Sequence, residues 1–390
     1  MQDLAAALSA RKQQHLYRAR QTVEGPQDVV LTIDGREYLS FCSNDYLGLA
    51  SHPQVIAAFK EGAERFGVGS GAAHLITGHS LAHEALEEEL AAFVHRPRAL
   101  LFSTGYMANL GVVTALTGRG DLVFEDRLNH ASLIDAAALS AAKLARYPHN
   151  DMRALGRKLS AATGGQRLIA TDGVFSMDGD CAPLPAMQDL ARRHDAWLLV
   201  DDAHGFGVLG EQGRGWCVDQ LGAGEDNLVL MATLGKALGT AGAFVAGSEA
   251  LIETLIQQAR TFVYTTAGPP ALAWATRAAL RLVREGDGLR ERLHANIAYF
   301  RRGAAELGVP LMPSQTAIQP VPVGESVAAV SLSEALRRRG VLVTAIRPPT
   351  VPKGAARLRV TVSANHHTEH LDRLLEALGD GYRELVHAAS

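Results

Sequence analysis

Short apolar runs alternate with helical patterns through the middle of the chain. Six such runs are RALLFS (98–103), DLVFED (121–126), RLIATDGV (167–174), WLLVDDAH (197–204), NLVLMAT (227–233) and GAFVAG (242–247). Segments with helical spacing of apolar residues, such as APLPAMQDLARRHD (182–195), lie between them. Continuous apolar strands separated by helices are typical of a mostly parallel sheet covered on both faces. The pattern therefore predicts an α/β fold.

The pattern changes toward the C-terminus. A long helical stretch from about 270 to 307 is followed by short strand and helix patterns, including AIQPVPVG (317–324) and ARLRVTVSA (356–364). We predict an N-terminal helix and strand segment over 1–45, a large α/β domain over 46–285 and a small α+β domain over 286–390. The first twenty residues indicate an amphipathic helix rather than a signal peptide, because no long apolar segment and cleavage site follow.

Composition favours small-molecule chemistry. The chain has 390 residues, of which 47% are hydrophobic and 20% are charged, with a net charge of -3. It therefore lacks the basic field expected for nucleic-acid or membrane-surface binding. Its apolar runs are shorter than the roughly 20 residues of a membrane helix. The cysteines at 42, 181 and 217 are far apart and form no CxxC pair, which fits a reducing cytoplasm.

Lys236 is the charged residue of MATLGKALGTAGAF (231–244), directly after a predicted strand. On position alone it could begin a solvated loop. A phosphate loop does not fit, because Leu230 stands where that motif has its first glycine and Ala237 follows the lysine. Asp201 ends the preceding predicted strand, so both groups should reach the same edge of the sheet. A carboxylate for a pyridine nitrogen and a lysine for a Schiff base are the pairing used by pyridoxal 5'-phosphate (PLP) enzymes.

The same edge offers candidate anion ligands. FSTGYMANL (102–110) runs from a strand into a helix that Gly105 opens, and a helix N-terminus binds anions; a capped turn without a ligand is the alternative. Hydroxyl groups that could bind the same phosphate belong to Thr233, Thr265 and Thr266. Two further strand ends carry His130, which could lie over an aromatic ring or simply in a loop, and Ser176.

Other polar clusters have less specific patterns. Asp201 and His204 could be a catalytic pair, metal ligands or a loop start, and metal has little support because no third ligand follows at regular spacing. SANHHTEH (363–370) also lacks a convincing ligand geometry, so we assign it to the surface and predict no metal site. Arg357 and Arg359 share one face of a strand and could bind a substrate carboxylate or solubilise an exposed edge.

Several motifs resemble the alpha-oxoamine synthases, a family of fold type I PLP enzymes. TLGKALGTAG (233–242) resembles their lysine segment, and SNDYLGL (43–49), GVGSGAAHLITG (67–78), HEALEEELA (83–91), DGVFSMDGD (172–180) and VDDAHGFGVLGEQGRG (200–215) match them in order. The chain departs from the family at 71–74, Gly-Ala-Ala-His, where related synthases often read Gly-Gly-Ser/Thr-Arg. This loop lines the acyl channel in the family.

The resemblance implies a role for each candidate residue. Lys236 would form the Schiff base, Asp201 and His204 would contact the ring nitrogen and ring oxygen, and His130 would stack on the ring. The remaining cofactor contacts would come from Gly105, Tyr106, Ser176 and Thr233, with Thr265 and Thr266 reaching the phosphate of a partner in a homodimer. Substrate contacts would come from Arg359 and Asn44 at the amino-acid carboxylate and from Arg18 and Thr350 at the acyl group.

The implied reaction is a decarboxylative condensation of L-alanine with a pimeloyl thioester, carried on coenzyme A or an acyl carrier protein, in biotin biosynthesis. Three alternatives stay open. A synthase that makes 2-amino-3-oxobutyrate from glycine has the same residues, an aminotransferase of the same fold uses the same lysine, and a non-catalytic binding protein would have little use for Lys236 with Asp201.

Overall fold

In this computed structural model the chain is described over residues 3–13 and 16–389 and divides into two compact units. The larger unit comprises Leu47–Ser176 and Asp180–Arg290, and the smaller unit comprises Met1–Tyr46, Met177–Gly179 and Glu291–Ser390. The described strands are β1 (Val30–Ile33), β2 (Arg36–Ser40), β3 (Arg98–Phe102), β4 (Leu122–Asp126), β5 (Lys143–Tyr147), β6 (Arg167–Asp172), β7 (Trp197–Asp201), β8 (Leu228–Thr233), β9 (Ala243–Gly247), β10 (Ile318–Gly324), β11 (Val341–Leu342), β12 (Thr344–Ile346) and β13 (Ala356–Thr361). The described α-helices are α1 (Leu4–Gln13), α2 (Pro53–Phe66), α3 (Leu81–Phe93), α4 (Gly105–Leu116), α5 (Ala131–Ser140), α6 (Met152–Ser160), α7 (Leu184–Arg193), α8 (Trp216–Leu221), α9 (Glu249–Gln258), α10 (Arg260–Val263), α11 (Pro270–Arg284), α12 (Asp287–Glu306), α13 (Ser326–Arg338) and α14 (Thr368–Ala389).

The larger unit is built on a seven-stranded sheet in the order β3-β9-β8-β7-β6-β4-β5. Strands β4 to β8 pair in parallel, whereas β9 is antiparallel to both β3 and β8. The predicted α/β fold with a mostly parallel sheet is confirmed. The six apolar runs form β3, β4, β6, β7, β8 and β9. Strand β5 is missed by the sequence pattern because its sequence, KLARY, is polar and partly exposed, as an edge strand tolerates.

The core of the larger unit explains why these strands read as continuous apolar runs. Alternate side chains of the central strands pack against helices α4, α5 and α9, and intervening side chains such as Leu198 and Leu230 are also fully buried. Representative core residues from the central strands are Leu168, Leu199 and Val229, all fully buried. Since β4, β6, β7 and β8 run in the same direction, their carboxyl ends lie at one edge, and polar side chains that follow them gather there.

The smaller unit contains two three-stranded sheets, ordered β1-β2-β11 and β10-β13-β12. Strand β13 is central in the second sheet and pairs antiparallel with both neighbours. Its Arg357 and Arg359 are each only 7% exposed. The exposed-edge interpretation of these arginines is therefore wrong, because a central strand has no solvent-facing edge.

Three other local predictions need correction or restriction. The helical stretch from 270 to 307 is two helices, α11 and α12, separated at 285–286. The histidine segment is not all at the surface: His366 is buried, stacks on Phe41 and bonds Ser363 N and Ser40 O. Helix α1 forms but buries none of its residues, and the parts of its predicted segment at 1–2 and 14–15 lie outside the described residues. Within the described part of the chain, no helix is long and apolar enough to cross a membrane.

Candidate active site

Asp201 lies at the carboxyl end of β7, opposite Met231 of the parallel neighbour β8. It is only 5% exposed. Its Oδ2 accepts a hydrogen bond of 2.8 Å from Asn109 Nδ2, and its Oδ1 accepts one of 3.1 Å from Ala203 N. A buried carboxylate must be compensated by such donors or by a cationic ligand. The two hydrogen bonds therefore hold the Asp201 carboxylate in one orientation at the sheet edge.

Lys236 lies in the tight loop that joins β8 to antiparallel β9. Backbone bonds from Leu234 N to Gly242 O and from Gly239 N to Lys236 O close this loop. The half-buried Lys236 amine lies 2.9 Å from Nε2 of His204, a buried side chain that follows Asp201 by three residues. The sheet register thus brings together the amine, the imidazole and the carboxylate that the sequence assigned to different strand ends.

His130 joins this cluster through a hydrogen-bond chain. Its backbone N–H donates to Asp172 Oδ2 at 2.7 Å, and its Nδ1 lies 2.8 Å from Ser132 Oγ. Ser132 Oγ in turn accepts from Asn109 Nδ2 at 2.8 Å. Partial burial lowers the pKa of His130, while the Asp201 carboxylate raises it and the Lys236 ammonium lowers it. The ring is fixed at the N-terminus of α5 and keeps an exposed face on which a flat ligand can stack.

Gly105 and Thr233 form a cradle suited to an anion. Gly105 is the first residue of α4. The side chain of the cap residue Thr104 accepts a hydrogen bond from Met107 N. The N–H groups of the first turn have no partner within the helix, as at any helix N-terminus. A Cβ added at Gly105 would lie 2.6 Å from Thr233 Cγ2, so the close approach of the α4 backbone to Thr233 requires glycine at this position. Thr233 Oγ1 is buried without a hydrogen-bond partner among the described residues. An orphaned hydroxyl beside a helix N-terminus is what a phosphate would satisfy.

The other predicted cofactor residues of the larger unit are Ser176, Tyr106, Thr265 and Thr266. Ser176 is half-buried in the turn that follows β6. The Tyr106 hydroxyl donates to Asp135. Thr265 is half-buried and Thr266 is exposed, in the segment after α10 where Thr266 pairs with Ala73. Thr266 also lines an apolar cavity of about 260 Å³ together with His83.

Arg359 belongs to the smaller unit and is held by two acceptors. Its Nη2 donates to Asn44 Oδ1 at 3.1 Å, and its Nη1 donates to Thr361 Oγ1 at 3.0 Å. The predicted pairing of Arg359 with Asn44 is therefore present in space, although the two residues are far apart in sequence. A buried guanidinium presents a planar fork of donors that suits an anionic substrate group.

Arg18 and Thr350 are both exposed residues of the smaller unit. The segments that carry them are joined by Arg347, whose Nη2 donates to Tyr17 O at 3.1 Å and whose carbonyl accepts from Thr350 N at 3.1 Å. Tertiary structure therefore brings the two predicted acyl contacts into one neighbourhood without a direct bond between them.

Several residues of the site region escape sequence reasoning. Asn109 and Ser132 are helix residues whose polar side chains point to Asp201 and His130, and only a polar residue on an otherwise apolar helix face signals them. Asp202 accepts from Cys217 N, so this second aspartate fixes a loop instead of facing Lys236. Arg357 forms a buried ion pair of 2.6 Å with Asp178, which gives it a structural role.

A separate charged cluster surrounds His149. Its Nδ1 lies 3.0 Å from Asp126 Oδ1 and its Nε2 lies 2.7 Å from Asp180 Oδ2. Burial opposes the charge on this histidine, but the two carboxylates outweigh it and raise the pKa of His149 to about 10. The cluster ties the end of β4 to the segment after β6 and has a structural role.

The donor set of the larger unit fits PLP on observations of this structure alone. The buried Asp201 carboxylate matches a pyridine nitrogen, and the Lys236 amine, 2.9 Å from a buried imidazole, matches an aldehyde. The buried Thr233 hydroxyl, which has no hydrogen-bond partner among the described residues and lies beside a helix N-terminus, matches a phosphate. The metal interpretation of Asp201 and His204 finds no third ligand in the contacts of this cluster.

Comparison with known proteins agrees with this assignment. Residues 36–378 match the family model for aminotransferase class I and II. An 8-amino-7-oxononanoate synthase of Thioalkalivibrio sulfidiphilus is 60% identical over 385 residues, covering 98% of each chain. The same enzyme of Nitrosococcus oceani is 61% identical over 372 residues, covering 95% of this chain and 98% of the relative.

Solved structures extend the likeness to the fold. A serine palmitoyltransferase of Sphingomonas wittichii has a TM-score of 0.92 and 30% identity, covering 98% of this chain and 97% of that chain. A variant of the S. paucimobilis enzyme, solved with PLP bound, has a TM-score of 0.92 and 29% identity, covering 98% and 97%. An 8-amino-7-oxononanoate synthase of Francisella tularensis has a TM-score of 0.76 and 31% identity, covering 89% of this chain and 98% of that chain.

Proposed function

We infer that the chain joins L-alanine to a pimeloyl thioester, because it belongs to the 8-amino-7-oxononanoate synthases within the aminotransferase class I and II family. The products are 8-amino-7-oxononanoate, carbon dioxide and the free thiol. The carboxylate carbon of alanine leaves as carbon dioxide, and the α-carbon of alanine is joined to the acyl carbon. The chain is a PLP-dependent acyltransferase of biotin biosynthesis. The observation that carries this function is the 60% identity to a curated synthase across 98% of both chains.

PLP is the cofactor, and when bound it supplies an electron sink for the negative charge that develops at the amino-acid α-carbon. We propose that Lys236 attaches it, that Asp201 pairs with its ring nitrogen and that His204 contacts its ring oxygen. His130 would cover the ring. The phosphate would be held by backbone N–H groups of Gly105 and Tyr106 and by hydroxyls of Ser176 and Thr233. The orphaned Thr233 hydroxyl and the buried Asp201 carboxylate are what support this set.

The chain's own groups would move the proton and orient the substrate. Lys236 Nζ would take the α-proton of alanine, and its 2.9 Å contact with His204 Nε2 would hold the amine in position between proton transfers. Arg359 would bind the alanine carboxylate through its planar fork, with Asn44 fixing the guanidinium. Arg18 and Thr350 would contact the acyl group.

The assay for this function measures thiol release with a chromogenic thiol reagent. We expect release from L-alanine with pimeloyl-CoA and none from glycine with acetyl-CoA, and the Lys236→Ala variant should release none. The reverse preference would support a 2-amino-3-oxobutyrate synthase. Amino transfer to a keto acid without thiol release would support an aminotransferase. Repeating the assay with a pimeloyl carrier protein distinguishes the two thioester carriers by their kcat/KM.

We further propose a homodimer with shared sites, in which Thr265 and Thr266 reach the partner's phosphate. The exposed position of Thr266 supports this arrangement. Light scattering measures the assembly state. Mixing inactive Lys236→Ala chains with weakened T265A/T266A chains should restore activity, because a mixed dimer has one site with both intact contributions. No gain on mixing would contradict a shared site.

We also propose that the enzyme works in the cytoplasm. Its three cysteines, Cys42, Cys181 and Cys217, are free, and each has a pKa raised by burial, so none of them is a reactive thiolate. Fractionation of cells that express the tagged chain tests the location.

A further inference from the structure

Three histidines of the larger unit meet just before and within the first turn of α3. His74 and His79 flank a single tight turn, in which Gly78 N donates to Ala73 O at 3.0 Å. A Cβ at Gly78 would lie 2.0 Å from Ala72 O, so the turn requires glycine at this position. The turn sets the two imidazoles side by side, and α3 presents His83 to them.

The ring nitrogens of these histidines converge. His74 Nδ1 and His79 Nδ1 are 2.9 Å apart. One nitrogen from each of His74, His79 and His83 lies within 4.8 Å of those of the other two. Three nitrogen ligands at this spacing can surround a single ion whose metal–nitrogen bonds are about 2.0–2.1 Å long.

The outer nitrogens of two of the rings already have acceptors. His79 Nε2 lies 2.8 Å from Glu84 Oε2, and His83 Nε2 lies 2.8 Å from Gly268 O. An N–H on each Nε2 leaves each Nδ1 with its lone pair. Ligating histidines in metal sites are fixed in the same way, by donating the other N–H to a carboxylate or a backbone carbonyl.

We propose that His74, His79 and His83 bind one divalent transition-metal ion, with Zn²⁺ the favoured ion. Imidazole nitrogens suit Zn²⁺, Co²⁺, Ni²⁺ and Cu²⁺ rather than Mg²⁺ or Ca²⁺, and a water would complete a tetrahedral set. Binding needs the lone pairs of both Nδ1 atoms, so the proton shared between His74 and His79 moves to His74 Nε2 and both imidazoles stay neutral. It also exchanges the bond from Ser80 N to His83 Nδ1 for a metal bond.

The surroundings favour a cation. A cavity of about 280 Å³ is lined by His74, His79, Glu84 and Glu87 and gives an ion a path to the ring nitrogens. The Glu84 carboxylate lies 2.8 Å from His79 Nε2 and would stabilise a cation bound at that imidazole.

The test is a titration of the tag-free, chelator-treated holoenzyme with Co²⁺, whose visible absorption intensifies in a tetrahedral site. We expect one Co²⁺ per chain, displaced by Zn²⁺, and at least a 100-fold weaker affinity in His79→Gln and in His74→Gln. Glu84→Gln keeps all three ligands and should bind about 10- to 100-fold more weakly. His367→Gln, an exposed histidine of the smaller unit, is the matched control and should bind as the parent does.

Circular dichroism and cofactor absorbance verify that each variant is folded and loaded. His83 is not used as the primary variant because it also caps α3 through Ser80. If His79→Gln does not fold, Glu84→Gln and His74→Gln decide the result. The proposal is overturned if the parent binds no stoichiometric Co²⁺, or if it binds Co²⁺ with an affinity that these variants leave unchanged.

Discussion

Asn109 provides the sharpest test of how the larger unit holds its carboxylate. Its Nδ2 donates to Asp201 Oδ2 and to Ser132 Oγ, both at 2.8 Å, and its side chain is fully buried. Leucine has the same number of side-chain heavy atoms and the same branching as asparagine, so Asn109→Leu removes both bonds without opening a cavity. A hydrogen bond to a charged group contributes about 1.5–3 kcal/mol. Less stabilisation of the Asp201 carboxylate should therefore weaken PLP binding by about 10- to 100-fold.

The assay is an equilibrium titration of the cofactor-free protein with PLP, followed by its absorbance. Thr114→Val is the matched control, because Thr114 lies on the same helix and its hydroxyl bonds only backbone carbonyls of that helix. The control should bind PLP as the parent does. If folded Asn109→Leu protein binds PLP within twofold of the parent, then Asn109 does not support the Asp201 carboxylate and the reasoning is refuted.

Three further perturbations follow from the structure. Gly105→Ala places a Cβ against the side chain of Thr233 at the phosphate cradle. The variant should weaken PLP binding by about tenfold, which lies within the 1–3 kcal/mol expected for overpacking. Gly118→Ala is the control: its added Cβ would have nothing within 4 Å, so the titration should be unchanged. Arg359→Lys loses the planar fork and should raise the KM for L-alanine at least tenfold with a smaller change in kcat. The control Arg357→Lys should change neither constant. Equal KM values for the two variants would remove Arg359 from substrate binding. His149 has a folded-state pKa of about 10, raised from 6.5, so its ion pairs stabilise the fold fully below pH 6.5 and lose that effect as pH rises through about 10. The difference in unfolding free energy between the parent and His149→Gln, about 1 kcal/mol after allowing for solvent screening, should shrink over that window in denaturant titrations, and a pH-independent difference would contradict the pKa.

Sequence patterns were sufficient for the parts of the fold in which burial is uniform. Strands β7 and β8 are buried along nearly their whole length, so their apolar runs are unambiguous, and the direction of parallel strands places Asp201 and Lys236 at one edge. Strand β5 carries charges because it lies at the sheet edge, and its position is set by pairing with β4. Nothing in its own sequence specifies that pairing.

The histidines show the same division. The spacing of His74, His79 and His83 fits no regular ligand motif, because a glycine-dependent turn and the start of a helix bring them together. His366 looks like one of a surface group in sequence, yet contacts with Ser40 and Phe41, over 300 residues away in the chain, bury it. Local pattern cannot report such long-range packing.

The sequence alone was enough for the α/β class and the family, and it singled out the lysine and aspartate proposed to carry the cofactor chemistry, because each depends on local periodicity or on motifs that stay in order along the chain. Tertiary structure decided which polar side chains support these groups. Asn109 became the donor to Asp201, Asp202 became a loop anchor, and Arg357 became an ion-pair partner of Asp178 while Arg359 bonded to Asn44. The physical reason is that a hydrogen bond or ion pair depends on distances between atoms, and residues remote in sequence reach those distances only after the strands have paired and the helices have packed.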